Sequence, residues 1–352
     1  MASMRQKNTA LESALAQIYR NFIDVIVRHL QRQGLNRERF IQQLNLPCAV
    51  DDLQQLTRQD FMHCLDYAKT FSGDSAFVLN AGCRAYLSDF PLFGSLAMHA
   101  KNLKQVLEDL TYFYNSTSMG GMNINLHIVS GTAHLRFLST QEYSADEFAD
   151  MVNLSVVSLI SAAFNLVGDH HCSEFGKATI CFQHAAPPDP QTYQRIFNVP
   201  VHFKQNYNEV IFDEKFLYLP VLGYHEPTYR FIRDQLKQRN ALLLESTSMG
   251  ERVHSILMIL EQPKACAVGK VAEALNTSVS TLQRKLKTEQ MSYTDIQADV
   301  VKQRATKLLL STHRAIDDIA SELGYNETSS FYRAFKRWMG VSPGEYRENT
   351  AN

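Results

Sequence analysis

The chain has 352 residues, is 45% hydrophobic and 20% charged, and carries a formal net charge of −1. That length accommodates two domains with a packed core each, and the near-neutral balance excludes a histone-like polycation. The charge is unevenly spread, +2 from residue 249 onward and −3 before it, so any binding to a polyanion depends on where the basic residues sit rather than on bulk charge.

At the N-terminus Arg5 and Lys7 are not followed by an apolar run. The longest apolar-rich stretch, Leu154 to Val167, is broken by Ser155, Ser158, Ser161 and Asn165. Neither export nor a membrane anchor is expected from these segments. Six cysteines without CxxC or regular spacing fit a reducing cytoplasm.

Thr9 to Gln33 reads as a long helix that buries Leu11, Ile18, Phe22, Val25, Ile26 and Leu30 and is closed by Gly34. Further helices are predicted at 36–44, at 57–72 behind a Thr57 N-cap, near 75–83, at 92–100 behind Pro91, and at 102–116 after Asn102. The period then changes. Ile124, Leu126 and Ile128 alternate with Asn123, Asn125 and His127, Ser130-Gly131 supplies a turn, and Ala133, Leu135 and Phe137 alternate with Thr132, His134 and Arg136. A β-hairpin follows from that pattern. Asp146 to Val167 returns to helical spacing, 178–182 reads as a third strand, a short helix ends at Phe197, and 201–203 and 210–212 read as two more strands. The order ββαβαββ behind a helical lead-in predicts an α+β domain. Tyr229 to Glu245 is charged and helical, and Ser246-Thr247-Ser248 with Gly250 marks a hinge. The predicted domains are therefore 1–240 and 249–352, joined by a linker at 241–248.

The last third carries two helix-turn-helix patterns, so the chain as a whole is mainly α. In the first, Val268, Val271, Ala272 and Leu275 form one buried stripe, Asn276-Thr277-Ser278 supplies turn and N-cap chemistry, and Val279, Leu282 and Leu286 form the next. Ser280, Arg284 and Lys287 then face outward, flanked by Thr281 and Gln283. In the second, Ile316, Ile319, Ala320 and Leu323 precede Gly324, and Phe331, Ala334, Phe335 and Trp338 repeat the helical spacing. At about 100° per residue Ser329, Arg333 and Lys336 must point away from that stripe. The two modules, 268–288 and 316–339, thus present Ser, Arg and Lys at the same relative positions. Between them Thr294 to Ser311 reads as one helix of roughly 27 Å at about 1.5 Å per residue, a stiff spacer beside the roughly 34 Å of one DNA turn.

Residues 249–347 resemble the DNA-binding domain of the AraC family of bacterial transcription regulators. The likeness is carried by Leu282-Gln283-Arg284-Lys285-Leu286, by Ile319-Ala320-Ser321-Glu322-Leu323-Gly324-Tyr325, by the run from Phe331 to Trp338, and by Gly340-Val341-Ser342-Pro343-Gly344-Glu345-Tyr346-Arg347. About residues 15–220 resemble the arabinose-binding-like N-terminal domain of one branch of that family, through the segments at 70–77, 184–190, 199–203 and 208–213. Those motifs are structural and carry no ligand identity. The resemblance implies contacts to double-stranded DNA from Ser280, Gln283 and Arg284, and from Thr328, Ser329, Tyr332 and Arg333. Thr281, Lys287, Lys336 and Arg337 complete the predicted interface, with Lys287 and Lys336 on phosphates. It further implies an activator at the nucleoid, a homodimer, RNA polymerase as a partner and a small-molecule effector in the N-terminal domain. The competing class is a ligand-independent protein whose first domain only dimerises or docks a partner.

Other chemistries find little footing. GxSxG, HExxH, a P-loop and a Gly-rich dinucleotide turn are all missing from the sequence, so no enzyme and no cofactor is expected. His170, His171, Cys172, Cys181 and His184 match no standard zinc spacing, and no metal site is assigned. Tyr112, Phe113 and Tyr114, with Met119 and Met122, have the composition of an effector pocket, and Arg136 is a candidate partner for an effector carboxylate. Core packing and a solvated arginine are the plainer alternatives. Trp338 is predicted in the core rather than on DNA.

Overall fold

A computed structural model describes residues 2–44, 56–116, 122–139, 144–168, 175, 177–245, 248–260, 262–275, 277–311 and 314–350. The chain divides into two compact units, Met1–Ser246 and Thr247–Asn352.

The first unit opens with α1 (Ala2–Arg32), α2 (Arg37–Leu44), α3 (Arg58–Ser72), α4 (Phe77–Gly82), α5 (Pro91–His99) and α6 (Leu103–Ser116). Their ends follow local chemistry. Thr57 and Asp60 form a reciprocal capping box at the start of α3, and Gly73 ends that helix in the left-handed conformation. Then β1 (Met122–Val129) and β2 (Thr132–Ser139) form the hairpin, whose turn residues Ser130 and Gly131 both have positive φ, 50° and 80°, as the tightest hairpin turns require. After α7 (Ala145–Val167), β3 (Thr179–Cys181), α8 (Pro190–Phe197), β4 (Val201–His202) and β5 (Asn208–Asp213) complete a sheet of order β1-β2-β5-β3-β4. All its pairings are antiparallel except β3 with β4. Asn123 and Asn125, which alternate with the apolar residues of β1, are buried as well, so β1 is covered on both faces at this end. Finally α9 (Glu226–Glu245) runs through most of the stretch predicted as linker.

Two cores share α7. Val152, Val156 and Val157 join the core between the sheet and its helices, while Met151 and Leu154 join a second core among α1 to α4. A helix apolar on nearly every side is what that position demands. This also explains why α7 alone, among the described residues, is long and apolar enough to cross a membrane by composition.

The second unit consists of α10 (Met249–Ile259), α11 (Val268–Ala274), α12 (Val279–Thr288), α13 (Tyr293–Ser311), α14 (Ile316–Glu322), α15 (Thr328–Met339) and α16 (Pro343–Thr350). Gly250, predicted at a hinge, lies in the first turn of α10. The Glu289 carboxylate accepts from the backbone N–H groups of Met249 at 2.7 Å and Gly250 at 2.8 Å, placing negative charge at that helix's positive end. Helix α13 is the spine: Ile296 and Val300 pack with α10, α11 and α12, whereas Val301, Ala305 and Leu309 pack with α14 and α15.

Polar contacts tie the halves of this unit together. Buried Gln297 donates to the carbonyls of Pro263 at 2.8 Å and Cys266 at 3.0 Å. The Lys264 N–H donates to Leu323 at 3.1 Å. Gly324, at φ 90°, sits where a Cβ would come within 2.9 Å of the Ala265 nitrogen, so both its backbone angle and its neighbour exclude a side chain.

Candidate nucleic-acid interface and ligand cavity

Helices α12 and α15 each follow a short helix across a turn, and each buries one narrow stripe. In α12, Leu282 and Leu286 are buried while Ser280, Gln283, Arg284 and Lys287 are exposed. Ser278 caps the helix by accepting from the Thr281 N–H at 3.1 Å, and its hydroxyl donates to the Thr281 hydroxyl at 2.9 Å. Thr281 is half-buried as a result. In α15, Phe331 and Phe335 are fully buried; Ser329, Tyr332, Arg333, Lys336 and Arg337 are exposed, and Thr328 is half-buried.

Electrostatically the two faces match. Each helix carries three cations and no carboxylate. Among the described residues none of Arg284, Lys287, Arg333, Lys336 and Arg337 is paired with an acid, and Arg333 donates only to the Ser330 hydroxyl, at 3.2 Å. Unneutralised cations on a protruding helix are available for phosphates and for guanine edges. In these two helices three side chains of the predicted stripes are not fully buried, the half-buried Ala334 among them. Val279 is 37% exposed, because as the first residue of α12 it projects beyond the core. Trp338, in the last turn of α15, is half-buried and packs at the rim of the core with Met339 and Tyr346.

The first unit encloses a cavity of about 480 Å³ between the sheet and its helices. Phe113, Ile124, Phe137 and Phe212 form part of its wall, and the second half of α7 contributes Leu159, Ala163 and Phe164. Helix α9 adds Leu236 and Arg239. Further toward the start of α9, Asp109 is 2% exposed and accepts from the Tyr229 hydroxyl at 2.5 Å and from Arg233 at 2.9 Å. Burial first, and then Asp109, push the Tyr229 hydroxyl well above the usual tyrosine range, so it remains a donor.

Of the predicted effector residues Phe113 lines the cavity, whereas Tyr112 and Arg136 do not. Tyr112 is 47% exposed, meets Phe113 edge-on at 4.9 Å and does not line the cavity. Arg136 stands opposite Glu209 across β2 and β5, donates to it at 2.9 Å and lies 4.1 Å above the Tyr207 ring. His134 reaches the same carboxylate oxygen at 3.2 Å. Arg136 is thus engaged within the sheet rather than at the cavity. The side chain of Tyr114, together with Met119, His170, His171 and Cys172, lies outside the described residues. His184 sits in an aromatic cluster with Phe182, Tyr193 and Phe203.

Residues 34–221 match the family described as the N-terminal arabinose-binding domain of AraC transcription regulators, and residues 271–349 match a helix-turn-helix domain family. The chain belongs to the AraC family. Similar to this AraC-family regulator is the Ornithine utilization regulator of Pseudomonas aeruginosa, 25% identical over 295 residues that cover 84% of this chain and 85% of the relative. The HTH-type transcriptional regulator VqsM of the same organism is 26% identical over 304 residues, covering 84% and 90%. A crystal structure of the transcriptional regulator CdpR from Pseudomonas aeruginosa aligns with a TM-score of 0.45 at 19% identity, covering 92% of this chain and 97% of that one. These relatives are transcription regulators rather than enzymes, and the AraC-family chain described here is a DNA-binding transcription regulator.

Three features of the AraC-family chain escape sequence reasoning. Glu322 of α14 pairs with Arg304 of α13 and Arg314, Arg239 lines the cavity, and Glu289 caps α10. The i, i+3 spacing of Leu236 and Arg239 was the one local sign of the second. The others join residues 8 to 40 positions apart, and no periodicity reports such contacts.

Proposed function

We propose that the chain is a transcription activator that reads a bipartite DNA site with its two helix-turn-helix modules under the control of a small molecule held in the N-terminal unit. The observation that carries the reading is the matched pair α12 and α15, each turning Ser, Arg and Lys outward from a helix that holds no carboxylate of its own. Arg284 and Arg333 are assigned to guanine edges and Gln283 to adenine. Lys287, Lys336 and Arg337 are assigned to phosphates, with Ser280, Thr281, Thr328, Ser329 and Tyr332 completing the surface. The 19 residues of α13 span about 29 Å at ~1.5 Å each, which suits reading heads in successive major-groove segments about 34 Å apart.

The sensing role is assigned to the unit that encloses the cavity, and DNA reading to residues 249–352. An effector acts by binding the DNA-competent arrangement better than the incompetent one. The protein works as a homodimer at the nucleoid, in the cytoplasm, and recruits RNA polymerase. Genome-wide mapping of bound DNA followed by footprinting tests the DNA half: two protected major-groove segments about one helical turn apart are expected, and sequence-independent protection would refute it. Transcription from the mapped promoters tests the effector half. Output that no metabolite alters would leave a ligand-independent protein.

A further inference from the structure

The cavity's lining has a chemistry more specific than a generic effector site. Among the described residues around it there is no carboxylate, and the one charged side chain is Arg239. The rest of the polar contribution is Gln17, Asn21, Tyr86, Ser155 and Ser158. Everything else is aliphatic or aromatic, apart from the backbone. A sugar needs a polar partner for each of its hydroxyls, and a diamino acid needs acids for its ammonium groups; an apolar wall leaves both unsatisfied. Water-filled apolar space is itself unfavourable, so an apolar ligand body is what this wall rewards.

The charge is placed at one end. Arg239, Tyr86 and Gln17 are the exposed polar residues of the lining, which sets them at its opening. Arg239 has no ion-pair partner among the described residues. Arg32 leans over the Tyr86 ring at 5.9 Å and donates to its hydroxyl at 3.3 Å, adding a second cation beside that opening. Deeper in, Leu110, Phe137, Phe164 and Phe216 are apolar, and the buried Asn21 and Ser155 bring no charge. A volume of about 480 Å³ equals roughly sixteen water-sized spaces of about 30 Å³ each, enough for a chain of medium length.

We propose that this cavity binds an elongated apolar carboxylate, its hydrocarbon chain packed inside and its head group on Arg239. The inference rests on the reading of the N-terminal unit as a sensor and names the chemical class that it senses. The guanidinium supplies a fork that matches a carboxylate in two parallel hydrogen bonds.

Titration calorimetry on the full chain tests it, with decanoate, hexanoate, 1-decanol and ornithine as probes below micelle-forming concentrations. Decanoate is expected to bind, and hexanoate about tenfold or more weakly, since each lost methylene removes buried apolar surface. Arg239→Gln is expected to weaken decanoate about tenfold while leaving 1-decanol within about threefold, the loss of one charge-assisted contact. Ala163→Trp, which fills the cavity, should weaken both. Equal decanoate affinity in the wild type and Arg239→Gln would overturn the head-group assignment. Decanoate failing to bind, or ornithine binding more tightly, would overturn the ligand class. Footprints on mapped DNA from the same preparations keep the two readings apart: an intact footprint without decanoate binding sinks this proposal alone, whereas a missing footprint sinks the regulator reading.

Discussion

Arg304 of α13 reaches Glu322 of α14 at 3.4 Å, with only 10% and 12% of the two side chains exposed. Arg314 donates to the same carboxylate, and Arg304 also donates to the Leu260 carbonyl. Removing the acid would take away the carboxylate that two nearly buried guanidinium groups share, and breaking a buried pair costs about 3–5 kcal/mol. Glu322→Ala is therefore expected to lower the unfolding free energy of the C-terminal unit by that order in chemical denaturation. A change below about 1 kcal/mol would class the contact with ordinary surface ion pairs.

Base reading and phosphate anchoring separate by sequence dependence. Arg284→Ala and Arg333→Ala should each cost about 1–3 kcal/mol on the cognate site and far less on random DNA. Competition binding with both DNAs gives the comparison, and equal losses on the two would remove base reading from these arginines.

Lys287 and Lys336 are exposed on these helices, and neither forms an ion pair within 4.0 Å among the described residues. Each replaced by Ala should reduce the slope of log affinity against log salt by about one, because one fewer phosphate is neutralised. An unchanged slope would move that lysine off the backbone.

His29 of α1 is 3% exposed and meets the Phe77 ring at 5.2 Å, and neither of its ring nitrogens has a hydrogen-bond partner among the described residues. Burial, followed by the charge of Arg84, holds its pKa below the ordinary value. In acid the unfolded chain takes up a proton that the folded chain resists. Stability is then complete above about pH 6.5 and declines as pH falls from there toward the lower, folded-state pKa. His184 has the same sign, chiefly through burial. Thermal unfolding of the N-terminal unit should drop in midpoint between about pH 7 and pH 5, and His29→Phe should flatten that fall. An identical profile in the variant would count against His29.

The recognition helices were legible because their signal is local: a buried residue every third or fourth position fixes which way Arg284 and Arg333 face. The hairpin was legible for the same reason, through Ser130-Gly131 and its flanking alternation. Spacing gives angle but not depth, which is why Trp338, correctly placed on the inner side, emerges at the rim of the core. The cavity was not legible, since its wall is assembled from the helices and the sheet together and no single stretch betrays it. Arg136 and Arg239 illustrate the difference. Arg136 stands between Leu135 and Phe137 and Arg239 between Gln238 and Asn240, and only the pairing of β2 with β5 reveals that Glu209 claims the first.

Helix α9 is fastened near its start by Asp109, touches the cavity with Leu236 and Arg239, and ends at Glu245, just before the Ser248 cap of α10. If the proposed effector controls DNA reading, the covalent path from the cavity wall to the second unit is the segment that follows Glu245. Splicing a floppy Gly-Ser spacer between 245 and 248 should therefore act as a clutch, sparing operator affinity and ligand affinity while disengaging one from the other.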